Sequence, residues 1–406
     1  MKEYGKNEMK VVQINTVATG STGSIMKCLY EYLLKTNNEC YCFYGRGITV
    51  NYKNYFKFGT NFETYIHVLL TRIFDLHGHG SYFATKKLIK KIIKINPDVI
   101  QLHNLHGHYL NYKVLFKYLK NDYTGKIIWT LHDCIPFTGH CSHFVNANCF
   151  KWKSLCYNCP QKKIYPASYI FDNSKYQYKF KKKLFNGVKN MDLVVGSIWM
   201  KNNVEESFLK KYKTIVIKNG IDLEIFNKII DKNIYAKYGI SNNKKIILGV
   251  SSVWNEQKGI KIFNELSKIV DDKKYEIVMV GLEKKDFLKV NENIIKIEKT
   301  SNKEDLAKIY SIADVFLNPS IEESFSFVTL EALACKTPII VPDTTATKEF
   351  VKNNNGIVTK PNVKSYYNAI KKILNNKNKY NCNNILDEYS MLNMQKKYYN
   401  LYRKEE

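Results

Sequence analysis

The sequence predicts an α/β protein built from two doubly wound, Rossmann-like parallel-sheet domains that face each other across a cleft. Three observations carry this expectation. The chain has 406 residues, too many for one ordinary core. Short β-branched-rich runs alternate with longer segments of helical period. The alternation also restarts midway, so two sheets rather than one are implied.

In the first half the strand runs are 11–15, 40–44, 99–103, 127–132 and 193–196. Amphipathic stretches separate them at 24–34, 85–94, 112–120 and 178–188. The second half places strands at 246–250, 276–280, 294–297, 315–318, 339–341 and 356–359, with helices at 261–270, 304–311, 327–334, 346–352 and 365–374. Strand alternating with helix means a parallel sheet covered on both faces. The join lies in 207–221, where Lys210, Lys211 and Lys213 precede a strand and the turn Asn219-Gly220. The expected domains are therefore 1–208 and 209–384. A helical stretch over 385–406 is long enough to cross back onto the first domain.

Composition narrows the class. With 45% hydrophobic and 25% charged residues, 19 Gly and 8 Pro, the chain is neither disordered nor of low complexity. Its apolar runs, such as 66–70 and 339–341, fall far short of the roughly 18 residues that span a bilayer. The first ten residues are polar and lack a hydrophobic signal core, so a cytoplasmic location is expected. The net charge of +26 leans toward anionic partners. The chain is also crowded with Lys, Asn, Ile and Tyr, the residues of AT-rich codons, so part of that charge is attributable to composition.

Two common nucleotide signatures are missing. Gly45-Arg46-Gly47 continues to Val50 instead of a third glycine, and no phosphate-binding Gly-x4-Gly-Lys-Ser/Thr occurs. The informative stretch runs from Pro319 to Pro338. A strand ends at Asn318, a polar loop carries Glu322 and Glu323, and a helix begins near Ser326. That is the carboxyl end of a parallel strand, where ligands bind. The amides of Ser326, Phe327 and Val328 would face a diphosphate at the positive end of the helix. Glu331, about two turns into the helix, would accept both hydroxyl protons of a ribose, while Glu323 would reach the sugar.

The Glu323-x7-Glu331 pattern inside this segment resembles the donor-binding signature of retaining glycosyltransferases of family 4, which have the GT-B fold. The resemblance extends over nearly the whole chain. The segment from Val250 to Gly259 is similar to the family's loop after the first strand of the C-terminal domain, which supplies a cation pair to the diphosphate; Lys258 matches the lysine, but Val253 stands where the arginine is usual. Neutralisation is then left to Lys258, the helix N-terminus and another cation. Asn219 to Asp222 resembles the interdomain turn. Gly20 and Gly23, after strand one, match a Gly-rich loop that lets the backbone approach donor or acceptor, with a plain β–α turn as the alternative. By the same resemblance His132, at the end of its strand, contacts the transferred sugar near the reacting carbon, and His103, Asn104, His106 and His108 shape the acceptor side.

The resemblance implies a nucleotide-sugar donor, UDP-linked, bound by the C-terminal domain. A lipid-linked or saccharide acceptor would enter from the N-terminal domain. Glu323, Lys258 and His132 would be the catalytic residues, and no catalytic cofactor is implied, in line with the absence of an Asp-x-Asp motif. A nucleotide-sugar epimerase of the same fold is the alternative.

Five of the ten cysteines lie within 134–159. Structural disulfides are disfavoured in a reducing compartment. Cys141-x7-Cys149-x6-Cys156-x2-Cys159 therefore suggests a structural zinc site stapling an inserted loop over 134–165, with Cys134, His140 and His143 as competing ligands and an incidental run of thiols as the plain alternative. The stretch from His132 through Cys141 to Pro166 resembles a family 4 subgroup that builds bacterial surface polysaccharides, near the colanic-acid-type transferases. A zinc module with a strong positive charge would also suit a nucleic-acid binder. Such a module needs no pair of complete α/β domains, so no nucleic acid is expected. Finally, Lys86, Lys87, Lys90, Lys91 and Lys94 lie opposite Leu88, Ile89, Ile92, Ile93 and Ile95. That is either a basic helix lying on anionic lipid or a sheet-covering helix whose lysines face water.

Overall fold

A computed structural model describes residues 8–382 and 386–403. The chain divides into unit 1, Met1–Ile217 with Gln395–Glu406, and unit 2, Lys218–Met394.

Unit 1 contains, in chain order, β1 (Lys10–Val17), α1 (Gly20–Lys35), β2 (Glu39–Arg46), β3 (Tyr55–Lys57), α2 (Asn61–Phe74), α3 (Tyr82–Ile95), β4 (Val99–Leu102), α4 (Tyr112–Asn121), β5 (Lys126–Leu131), α5 (Ser174–Phe185), β6 (Met191–Val195), α6 (Ile198–Glu206) and β7 (Thr214–Val216). The seven strands form one sheet in the order β3-β2-β1-β4-β5-β6-β7, and every pairing is parallel. All four residues of β4 are buried, as a strand covered on both faces requires. The first boundary moves from 208 to 217 because β7 pairs with β6 and completes this sheet. Helix α1 begins at Gly20, four residues before the amphipathic pattern, so Gly20 and Gly23 lie in its first turn. The core between sheet and helices is aromatic: Trp129 of β5 meets Phe116 of α4 at 5.5 Å and Phe185 of α5 at 5.1 Å between ring centroids.

Unit 2 contains α7 (Asn233–Tyr238), β8 (Lys245–Val250), α8 (Ile260–Leu266), β9 (Tyr275–Val280), β10 (Ile294–Ile297), α9 (Lys303–Ile312), β11 (Val315–Leu317), α10 (Phe327–Ala334), β12 (Ile339–Pro342), β13 (Gly356–Thr359) and α11 (Val363–Asn375). Its sheet runs β10-β9-β8-β11-β12-β13, again parallel throughout. The helix expected over 346–352 is a short 3-10 turn, Ala346–Phe350. Strand order reverses between β8 and β11, so the chain leaves their carboxyl ends toward opposite faces and opens a site there.

The last expected helical stretch resolves into a 3-10 turn, Leu386–Tyr389, and α12 (Met391–Arg403); residues 385 and 404–406 lie outside the described residues. From Gln395 onward α12 is part of unit 1. Gln395 Nε2 donates to the Cys28 carbonyl (3.0 Å), and the Tyr398 and Thr130 hydroxyls pair at 3.1 Å.

Trp129→Ala would leave a cavity among Phe116 and Phe185 that these rings refill only in part. Urea unfolding of unit 1 should lose about 3–5 kcal/mol of stability. A loss below about 1 kcal/mol would contradict the packing described.

Candidate active site

The loops after β8 and β11 meet at the point where the sheet order of unit 2 reverses. Gly259, with φ +83°, ends the first loop; a Cβ there would come within 2.4 Å of Pro319 Cγ, so only glycine lets the two loops pack this closely. The Ile321 amide donates to the Gln257 carbonyl at 3.3 Å. Across this junction Lys258 Nζ and Glu323 Oε1 form an ion pair at 2.5 Å, both side chains only partly exposed. The Glu323 loop is held from behind, its amide donating to Thr345 Oγ1 (3.1 Å) and the Thr344 hydroxyl donating to the Ile321 carbonyl (2.7 Å).

Ser326 is the N-cap of α10, but its side chain makes no cap hydrogen bond. Its Oγ accepts instead from Asn318 Nδ2 at 3.0 Å and from the Thr329 hydroxyl at 3.0 Å. Asn318 therefore ties the end of β11 to the first turn of the helix while leaving the leading amides of Phe327 and Val328 without a side-chain cap. Such a helix start suits an anion. Glu331 is the fifth residue of α10, little more than one turn in rather than the two turns expected, although the helix starts where the sequence placed it. Its Oε2 accepts from the hydroxyl of Tyr310 on α9 at 3.0 Å. Burial raises the Glu331 carboxyl to about 7, with Tyr310 and Lys303 acting in the opposite direction. Val253, in the place of the absent arginine, is exposed.

In unit 1 the order reverses between β1 and β4, and the residues after these strands and after β5 converge. Gly20 has φ +74° and open space over it, whereas Gly23 packs on the backbone of Ala18. The Thr16 hydroxyl sits 3.0 and 2.5 Å from the carbonyls of Asn104 and His106, fixing the loop after β4. His132 enters a buried relay. Gln13 donates its Nε2 to the Met26 carbonyl (3.1 Å), leaving its Oε1 to accept from His103 Nε2 (3.0 Å). His103 Nδ1 must then accept from His132 Nε2 (3.2 Å), so His132 carries its lone pair on Nδ1. Burial lowers His132 to about 4 and His103 well below its ordinary value, so both rings are neutral near pH 7. Beside them His106 Nε2 lies 2.6 Å from Asp133 Oδ2, and its Nδ1 is 2.9 Å from the Tyr165 hydroxyl. Burial pushes Asp133 up, but His106 together with the Ile135 amide and His143 more than offsets this and leaves the carboxyl below its usual range.

Of the four expected zinc ligands, Cys141 and Cys159 are in direct contact, Cys156 lies within electrostatic reach of both, and Cys149 lies near Cys156. Among the described residues no three His, Cys, Asp or Glu side chains are gathered as a metal would require. A thiol–thiol hydrogen bond from Cys141 lowers Cys159 to about 7. Cys156 Sγ accepts the Gly139 amide at 3.2 Å, and Cys149 is partly exposed. His140, a competing ligand in the sequence, is buried against Asp75 at 2.5 Å. Packing and backbone capture hold the inserted loop: Trp152 is buried between Phe137 and Phe144, and buried Lys181 donates to the carbonyls of Ile135 and Thr138 at 2.9 and 3.1 Å.

The structure thus pairs Lys258 with Glu323 on unit 2 and places Ser326, Phe327, Val328 and Glu331 on the helix start that follows the Glu323 loop, while on unit 1 Gly20 and Gly23 follow β1 and His132 follows β5. Sequence reasoning missed Tyr310, Asn318 and Gln13. Each acts through a partner on another element, and nothing in its local sequence marks it. A recess of unit 1 of about 630 Å³, lined by Lys182, Glu206 and Lys211, lies at the N-terminal ends of β6 and β7.

Two parallel-sheet Rossmann-like units with these strand orders define the GT-B class of glycosyltransferase architecture. Sucrose-phosphate synthase from Thermosynechococcus elongatus superposes with a TM-score of 0.72, at 15% identity, over 98% of both chains. Residues 231–385, the segment holding Lys258, Glu323 and Glu331, match the family of glycosyl transferases group 1. The chain is similar to glycogen synthase of Mycoplasma mobile, 26% identical over 71% of this chain and 69% of the relative. It is also similar to the UDP-Gal:α-D-GlcNAc-diphosphoundecaprenol α-1,3-galactosyltransferase of Escherichia coli, 28% identical over 43% of this chain. The match spans about half of that relative, 48%.

Carbon-13 NMR of the Glu331 carboxyl, identified by its loss in Glu331→Gln, should titrate near pH 7. Because the Tyr310 hydroxyl favours the ionised form, Tyr310→Phe should move the midpoint upward. A midpoint near 4.5 in the unmodified protein would contradict the burial described.

Proposed function

We propose that the protein is a retaining glycosyltransferase that moves a hexosyl or N-acetylhexosaminyl group from a UDP-sugar to a lipid-linked or saccharide acceptor in bacterial surface polysaccharide synthesis. The observation that carries the reading is the junction of the β8 and β11 loops, where a cation, an uncapped helix start and an acid with a tyrosine partner occupy one strand-end site. The UDP donor and lipid-linked acceptor are supported by the similarity to the UDP-Gal:α-D-GlcNAc-diphosphoundecaprenol α-1,3-galactosyltransferase of Escherichia coli. The surface-polysaccharide role is supported by the resemblance of the stretch from His132 to Pro166.

In this reading Lys258 and the amides of Ser326, Phe327 and Val328 take the charge that grows on the departing diphosphate. Glu331, ionised, accepts two ribose hydroxyls. Lys258 turns from Glu323 to phosphate, and Glu323 is freed to accept hydroxyls of the sugar. His132, neutral with Nδ1 as acceptor, receives a hydrogen bond from a hydroxyl of the transferred sugar. The bond from the anomeric carbon to the phosphate oxygen breaks, and the acceptor oxygen bonds to that carbon on the same face. The leaving phosphate oxygen takes the acceptor's proton, so no protein base is required. Gly20 leaves open backbone for the substrate, and acceptor recognition is assigned to unit 1.

Thermal-shift titration with UDP-, GDP- and ADP-sugars tests the reading, since a ligand of the folded form raises the melting point. A UDP-sugar should stabilise the protein, and Glu331→Ala should weaken its binding about tenfold or more, equivalent to about 1.4 kcal/mol. Unchanged donor binding in both Glu331→Ala and Lys258→Ala, or sugar epimerisation without any acceptor, would overturn it.

A further inference from the structure

Helix α2 is amphipathic in the reverse sense. Its buried residues are polar, His67 and Thr71, one turn apart. His67 Nε2 accepts the Gly78 amide (2.9 Å), His67 Nδ1 pairs with Ser81 Oγ (3.0 Å), and the Thr71 hydroxyl donates to the His67 carbonyl (2.9 Å). The opposite side carries Phe62, Tyr65, Ile66 and Leu69, which are 74%, 72%, 43% and 53% exposed. Spaced i, i+3, i+4 and i+7, these four form one stripe. A surface helix ordinarily turns such a stripe toward the core, and an apolar face left outward marks a surface that meets something apolar.

Two further segments widen the stripe. The amides of Tyr169 and Phe171 donate to the carbonyls of Arg72 and Ile73 at 2.7 and 3.0 Å, and Phe171 stacks on Phe74 at 5.6 Å. This edge pairing leaves Ile170 60% exposed. The start of α3 is bound to α2 through Ser81 and through the Ala84 amide, which donates to Glu63 Oε1 at 2.8 Å, and it presents Phe83, 70% exposed. Cations rim the patch. Arg72, Lys86 and Lys87 are exposed, and Lys162 Nζ donates to the Ile170 carbonyl at 3.0 Å. The acids at its edge are turned to backbone amides, Glu63 to Ala84 and Asp172 to Cys159 and Ser174.

The lysine-rich segment, read as either a lipid-facing or a sheet-covering helix, is α3. Most of its apolar side is spent inside unit 1, with Ala84, Thr85, Leu88 and Ile92 buried, while Phe83 and Ile93 face out along with its lysines. Among the described residues no helix is long and apolar enough to cross a membrane.

We propose that the outward face of α2, with Ile170 and Phe83, docks on an anionic lipid bilayer. Aromatic and aliphatic side chains inside a ring of cations match the apolar boundary and negative headgroups of such a surface. Charge also argues against a second copy on this face, since a two-fold pairing would bring like cationic rims together in a chain of net charge +26. The proposal stands apart from the donor site and is read without any sugar transfer.

The test is flotation of the full chain with phosphatidylcholine vesicles, with and without phosphatidylglycerol, at low salt, using Phe62→Ser/Tyr65→Ser/Leu69→Ser as the variant. All three side chains are exposed, so the melting point should hold. The unmodified chain should float with the anionic vesicles and about tenfold less with the neutral ones, and the variant should lose about tenfold in anionic binding. Three outcomes would overturn the proposal: no flotation with anionic vesicles, equal flotation of the variant, or light scattering that shows a dimer which the variant splits without changing flotation.

Discussion

An ion pair between side chains 65 residues apart, Lys258 and Glu323, joins the two loops on which the proposed donor site is built. It can form because strand order reverses between β8 and β11, which sends the following helices to opposite faces and leaves the loops side by side. Gly259 against Pro319 sets their spacing, and Thr344 and Thr345 hold the Glu323 loop in place. The same constraint leaves the first turn of α10 open, since Ser326 is committed to Asn318 and Thr329 rather than to capping. Sheet topology, one glycine and one cross-loop ion pair thereby produce a strand end with a paired cation and uncapped amides.

Protonation at both groups of site residues is decided by buried neighbours. Glu331 is pushed toward neutrality by its surroundings and drawn back by the Tyr310 hydroxyl. His132 is kept neutral by burial, and its tautomer follows from Gln13 and His103 behind it. Asp133 stays ionised against burial through His106. These neighbours sit on elements distant in sequence, so the chemistry of each site residue is a property of the packed unit.

Much of the fold was legible because strands buried on both faces are continuous β-branched runs. Strands 294–297 and 356–359 and helix 327–334 coincide with the observed elements. What failed to show had physical causes. Strand β3 has only three residues. Helix α2 carries its apolar residues outward and histidine and threonine inward, so its pattern does not describe burial. The join moved by nine residues because β7 is short and follows a lysine run. At the site, Lys258, Glu323 and Glu331 were readable from motif and strand-end position, but the pairing of the first two and the tyrosine behind the third depend on contacts between loops and helices. The cysteine spacing showed nothing of Trp152 and Lys181, which hold the inserted loop through contacts with residues distant in sequence.

Calorimetric titration with UDP, which carries the diphosphate but no sugar, tests directly whether Lys258 is held by Glu323 and released to phosphate. Glu323→Gln removes the competing carboxylate and should tighten UDP binding roughly fivefold, equivalent to about 1 kcal/mol, while Lys258→Ala should weaken it in both backgrounds. UDP affinity that is unchanged or lower in Glu323→Gln, or indifferent to Lys258→Ala, would contradict the assignment of this junction as the diphosphate site.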